Sequence, residues 1–129
     1  MKKNFLIVNA NYYHEISQGL LKSAMNLIPK SSKVKIINVP GVFEIPVTIS
    51  KNINKYDGFI ALGCVIKGKT PHFNFISHAS TIAIMNLSID SNKPIGNGII
   101  TCLNLKQAKA RKKKGAEAAN AVLSVLTQK

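Results

Sequence analysis

Apolar positions switch between two periods along the chain, and the switches divide it into alternating strands and helices. Residues 3–8 are a short apolar run between polar neighbours, which predicts a strand. Ile16, Leu20, Leu21, Ala24, Leu27 and Ile28 then recur at helical spacing until Pro29 ends the pattern. Residues 34–39 form a second, β-branched run closed by Pro40 and Gly41, and residues 43–53 predict a short helix with Glu44 in its first turn. Residues 56–65 are apolar almost without interruption, as expected of a parallel strand buried on both faces. The next helix is marked by Thr70 as N-cap and Pro71 at the first helical position, with a buried stripe of Phe75, Ile76, Ala79, Ile82, Ala83 and Met85. Residues 94–101 predict a fourth strand. Asn104 then caps one long last helix whose apolar face is Ala116, Ala119, Val122, Leu123 and Leu126.

Strands alternating with helices call for right-handed crossovers and a parallel sheet covered on both faces. The expectation is one α/β domain over residues 1–129: a flavodoxin-like three-layer α/β/α sandwich with a four-stranded parallel sheet in the order 2-1-3-4. Ligands of such sheets sit beyond the carboxyl ends of the strands at the switch point, here between strands 1 and 3. Residues 9–14, 39–46 and 64–72 are therefore the segments in which to look for chemistry.

Composition narrows the partners. A chain of 129 residues that is 46% hydrophobic predicts one globular unit, with no repeat or low-complexity segment. The longest apolar stretch, 58–66, is closed by Lys67 and falls short of the ~20 residues that a bilayer-spanning helix needs. The apolar run near the start is likewise too short for a secretory core, so a soluble, cytoplasmic protein is expected. Cys64 and Cys102 stand in no C-x-x-C pair and have no histidines at metal-ligand spacing, which predicts reduced buried thiols and no metal. The formal charge of +13 first suggests nucleic acid or an anionic membrane. Yet seventeen of the eighteen basic residues are lysines, spread over the whole length beside thirteen asparagines and seventeen isoleucines, which is the mark of a general compositional bias. Base-reading sites lean on arginine for its planar fork, and the one arginine is Arg111. Helix-turn-helix, zinc-finger and RNA-recognition signatures are absent as well.

Three strand mouths carry candidate chemistry. Lys67, Gly68, Lys69, Thr70, Pro71 and His72 leave the longest strand and enter a helix, where backbone N–H groups, a hydroxyl and two lysines can meet an anion. The same residues also suit an ordinary βα turn in a lysine-rich chain. A histidine at such a place suits general acid/base work near neutral pH, whereas His14 and His78 have no partners at ligand spacing and are expected to be structural. Val42, Phe43 and Glu44 follow the second strand and offer an aromatic ring and a carboxylate to a flat ligand, or serve only as a turn with its core contact. Tyr12 offers a second aromatic face. Arg111, beside Lys112, Lys113 and Lys114, suggests a bidentate grip on phosphate.

The segments V-P-G-V-F-E-I-P at 39–46, A-L-G-C-V-I-K-G-K-T-P-H-F at 61–73 and G-I-I-T at 98–101, followed by Gln107, Ala108 and Arg111, closely resemble the 6,7-dimethyl-8-ribityllumazine synthase family. The resemblance covers nearly the whole chain in the right order. It implies a transferase of riboflavin biosynthesis that condenses 5-amino-6-ribitylaminouracil with 3,4-dihydroxy-2-butanone 4-phosphate, releases phosphate and water, and uses no metal or organic cofactor. It further implies homopentamers with sites between neighbouring subunits, and a riboflavin synthase as a candidate partner. Carried over by motif, Tyr12 stacks on the pyrimidine; Val42, Phe43 and Glu44, with Cys64, Val65 and Ile66, hold the ribityl chain and ring edge. Lys69, Thr70 and Arg111 bind the butanone phosphate, with Lys114 as an additional candidate, and His72 transfers protons.

The chain departs from the family pattern at three places. Asn97 stands where an aromatic residue commonly reaches into the neighbouring site, and Tyr12 where phenylalanine is usual. Only Lys112 and Lys113 separate Arg111 from Lys114, where the family has a longer, glycine-containing segment before its lysine-glycine pair. The short segment leads to the expectation of an isolated pentamer or a pair of pentamers in place of an icosahedral shell. Two alternatives follow from the same residues: a lumazine- or flavin-binding paralogue with little turnover, and, remotely, a basic nucleic-acid-binding protein.

Overall fold

Alternate side chains of a strand point to opposite sides of its sheet, and here each side meets its own helices. The computed structural model describes residues 2–128. Among them, β1 (Asn4–Ala10), β2 (Lys33–Val39), β3 (Gly58–Ile66) and β4 (Ile95–Cys102) form one parallel sheet in the order β2-β1-β3-β4. The helices are α1 (His14–Leu27), α2 (Ile45–Lys51), α3 (His72–Ser91), α4 (Leu105–Ala110) and α5 (Lys114–Leu126), with a 3₁₀ turn at Val42–Glu44 before α2. Phe5, Ile7, Ile60, Leu62, Ile100 and Cys102 face α1, α4 and α5 and bury Ile16, Leu20, Ala108, Ala118 and Val122. Leu6, Val8, Phe59, Ala61, Val65 and Ile99 face the other way, against Ile45 and Ile49 of α2 and Ile84 of α3. The expected three layers and strand order are those observed.

Four local expectations need correction. The sheet is covered on both faces along β1 and β3, but most of β2 is an open edge, with Lys33, Lys35 and Ile36 exposed. α3 begins at His72 with Pro71 in the cap position, and the Thr70 hydroxyl accepts only a 3.4 Å bond from the His72 N–H. Its buried stripe is Phe73, Ile76, Ser80, Ile84 and Leu87, so Phe75, Ala79, Ile82 and Met85 lie on the outside. α3 is apolar around most of its circumference, and periodicity alone cannot choose between its two faces. The predicted long last helix is two helices. Asn104 does act as a cap, its Oδ1 accepting from the Gln107 N–H at 2.9 Å, but it caps only α4.

The break between α4 and α5 comes from packing on α1. Ser23 Oγ accepts from the Ala116 N–H at 2.9 Å, and Gly115 lies flat against the Leu20 carbonyl. Gly115 and Ala118, absent from the predicted apolar face, are buried there. No helix among the described residues is long and apolar enough to cross a membrane. A Cβ on Gly115 would overlap the Leu20 carbonyl oxygen and press on the Ala24 nitrogen at 3.2 Å. Gly115→Ala should therefore lower stability by about 1–3 kcal/mol in urea unfolding. Gly68→Ala, where nothing lies within 4 Å, should change it by less than about 0.5 kcal/mol.

Candidate active site

The carboxyl ends of β1, β2 and β3 open onto one cleft of about 330 Å³, lined by Tyr12, Tyr13, Gly41, Val42, Phe43, Glu44, Cys64, Val65, Ile66, His72 and Ile76. Backbone bonds hold its three walls in register. The Asn11 N–H donates to the Val39 carbonyl at 2.9 Å, tying the first mouth to the second strand, and the Lys67 N–H donates to the Cys102 carbonyl at 2.9 Å, extending the ladder of β3 with β4. The second wall can come close because β3 has a glycine beneath it: a Cβ on Gly63 would stand 2.8 Å from Val42 Cγ2. With Val42 buried there, the 3₁₀ turn presents Phe43 outward at 69% exposure and leaves Glu44 half-buried.

Aromatic rings dominate one side. Tyr12 is 75% exposed, and its ring meets that of Tyr13 edge to face, with centroids 4.9 Å apart and planes at 77°. Tyr13 is half-buried against the core beside α1, and that burial raises its phenol above the usual tyrosine range, with Cys64 and Tyr12 adding to the effect. Cys64 forms part of the floor. Burial pushes its thiol up to about 12, reinforced by Cys102, so at neutral pH it is an S–H wall and no thiolate nucleophile. Both cysteines are free and buried. Among the described residues no cluster of three or more His, Cys, Asp or Glu side chains could hold a metal ion.

Eight of the residues singled out from sequence thus share one cleft: Tyr12, Val42, Phe43, Glu44, Cys64, Val65, Ile66 and His72. Tyr13, Gly41 and Ile76 complete it and were not singled out. Tyr13 sits beside a chosen tyrosine, and only its half-burial distinguishes the two. Lys69, Thr70, Arg111, Asn97 and Lys114 do not line it. Lys69 and Thr70 are exposed on the loop between β3 and α3. Arg111 is held at the carboxyl end of β4, where its Nη1 donates to the Thr101 carbonyl at 3.2 Å; Thr101 is the register partner of Val65, so the guanidinium is anchored one strand away from that loop. Asn97 is exposed on β4, its Oδ1 accepting from the Ile99 N–H at 3.1 Å. Lys114 opens α5 and pairs with Glu117 at 3.7 Å. His14 is exposed and shares a 3.0 Å contact with Asn11, while His78 is exposed on α3.

Comparison with known proteins identifies the family. The family model described as 6,7-dimethyl-8-ribityllumazine synthase matches residues 2–129. Curated relatives named 6,7-dimethyl-8-ribityllumazine synthase include that of Bartonella tribocorum, 42% identical over 137 residues, covering 99% of this chain and 91% of the relative. That of Bartonella henselae is 44% identical over 138 residues, covering 99% and 89%, and that of Agrobacterium fabrum is 39% identical over 141 residues, covering 99% and 95%. These alignments are longer than the 129-residue chain, so the relatives carry residues that this chain lacks. The match runs from one end of the sheet to the other and takes in every strand mouth that builds the cleft: the chain belongs to the 6,7-dimethyl-8-ribityllumazine synthase family.

Proposed function

We propose that the protein, acting as one unit over residues 1–129, condenses 5-amino-6-ribitylaminouracil with 3,4-dihydroxy-2-butanone 4-phosphate to 6,7-dimethyl-8-ribityllumazine, as a cytoplasmic transferase of riboflavin biosynthesis. The observation that carries this is the convergence, in a chain of this family, of an exposed aromatic face, a carboxylate and a histidine on one cleft. A binding paralogue with little turnover and a nucleic-acid-binding protein are not favoured, since the relatives reported above are named as synthases.

The chemistry asks for positioning, proton transfer and an anion grip. The pyrimidine stacks on Tyr12, while Val42, Phe43 and Glu44 hold the ribityl chain and ring edge against the wall of Cys64, Val65 and Ile66. The ring amine attacks the ketone carbonyl and water leaves as the imine forms. Removal of a neighbouring proton then expels phosphate, and the ribityl-bearing nitrogen closes the second ring with loss of water. His72 takes and returns these protons. Lys69, Thr70 and Arg111, with Lys114 as a further candidate, receive the phosphate as its charge develops. Holding two reactants in one cleft supplies much of the acceleration, so no covalent nucleophile is needed.

One chain does not complete the site, because Asn97 and the phosphate-binding candidates stand outside the cleft. The outer face of α3 supports an assembly in which neighbours share it. Phe75, Ile82 and Ile89 follow one another at seven-residue spacing and are 67%, 46% and 63% exposed, with Met85 beside them. A helix apolar on two faces calls for a partner on the second. A homopentamer packed through α3 brings Asn97 of one subunit toward the site of the next, and a riboflavin synthase is the enzyme that would draw on the product.

Incubating both substrates should yield lumazine fluorescence well above the uncatalysed rate; tight product binding without turnover would leave only a binder. His72→Asn should slow turnover by about a hundredfold without abolishing it, and an unchanged rate would remove His72 from the mechanism. Arg111→Lys should raise KM for the phosphorylated substrate by about tenfold with a small effect on the other. Light scattering should give an isolated pentamer, five copies of 14.0 kDa or about 70 kDa, or a pair of them; a megadalton particle would overturn the expectation of a small assembly.

A further inference from the structure

An aromatic platform works only if its ring is held at the angle the ligand needs, and Tyr12, at 75% exposure, has little around it to do so among the described residues of its own chain. Hydrogen bonds tie down the loop on either side of it. Asn11 before it donates its N–H to the Val39 carbonyl at 2.9 Å, and its Oδ1 accepts from Ser17 Oγ at 3.0 Å. Tyr13 after it caps α1, its carbonyl accepting from the Ser17 N–H at 2.9 Å. With the backbone fixed on both sides, the remaining freedom of Tyr12 lies in its side-chain torsions. The ring contact that opposes this freedom is the edge-to-face one with Tyr13, whose own ring is wedged half-buried against the core beside α1.

The geometry points to Tyr13 as a positioning residue that holds Tyr12 in the orientation needed to stack on the flat substrate, and so selects for the aminopyrimidine. This rests on the reading in which Tyr12 is the platform. If Tyr12 is competent only in one rotamer, apparent affinity falls in proportion to the time spent elsewhere. Loss of one edge-to-face contact translates to about a 3- to 10-fold rise in KM. Burial also raises the Tyr13 phenol above the usual tyrosine range, so it acts as a neutral ring at neutral pH.

The test is steady-state kinetics, read by product fluorescence, on Tyr13→Phe, Tyr13→Leu, Tyr12→Leu and the Tyr12→Leu/Tyr13→Leu double variant. Tyr13→Leu should raise KM for 5-amino-6-ribitylaminouracil about 3- to 10-fold with kcat within twofold, and Tyr13→Phe, which keeps the ring, should restore most of the loss. In the Tyr12→Leu background the Tyr13→Leu effect should vanish, because there is no ring left to position. An effect of equal size in that background, or none in the wild-type background while Tyr12→Leu raises KM, would overturn the proposal. An unchanged KM in Tyr12→Leu would instead overturn the platform reading, and this inference with it. Should Tyr13→Leu not fold, Tyr13→Met, which refills the half-buried space without a ring, is judged by the same criteria.

Discussion

Helices pack on both faces of β1 and β3, and this double burial dictates the positions of the other parts. Strands buried on both sides can pair only with neighbours in the sheet, so the ladder must continue outward to β2 and β4. Parallel pairing sends each connection across a face. With β1 between β2 and β3, the crossovers from β1 and from β2 leave on opposite sides, and the loops at their carboxyl ends part to form a cleft. Close approach then shapes the walls: Gly63 lets the turn at Val42–Glu44 settle onto β3, and Gly115 lets α5 lie against α1. The site is thus a by-product of where the core requires the chain to turn.

Charge is layered outside this arrangement. The cleft itself is aromatic and aliphatic, with Glu44 and His72 as its ionisable side chains other than tyrosine and cysteine. Lysines stand on the loop beyond it and on the outer helix surfaces, while Arg111 is fixed by the Thr101 carbonyl at the next strand end. A low-dielectric floor bordered by positive charge suits a reaction in which a flat, neutral ring must be held and an anion released at the edge.

The layered fold was legible because continuous β-branched runs and helical spacing are produced by burial itself, and strand order follows from chain length and handedness. The wall residues of the cleft were legible because they lie at strand mouths and in motifs. What escaped depends on tertiary contact. The outer apolar stripe of α3 has the same period as the inner one, so the choice between Phe75 and Phe73 is made by the sheet. The split between α4 and α5 is made by Ser23 and the Leu20 carbonyl, far away in sequence. Tyr13 differs from its neighbour Tyr12 in being half-buried against the core, which only the folded chain decides. The phosphate-binding candidates lie outside the cleft of one chain, and what is expected of them comes from the motif resemblance alone.

The open edge at β2 differs in character from the outer face of α3. Lys33 and Lys35 alternate along it, and their charges oppose the addition of a second copy's strand, the route by which sheets grow into aggregates. On α3 the exposed stripe is free of charge at Phe75, Ile82, Met85 and Ile89. The fold therefore places charge on the edge where a further strand could add and leaves an uncharged apolar stripe on the outer face of a helix, two surfaces of opposite character on one small domain.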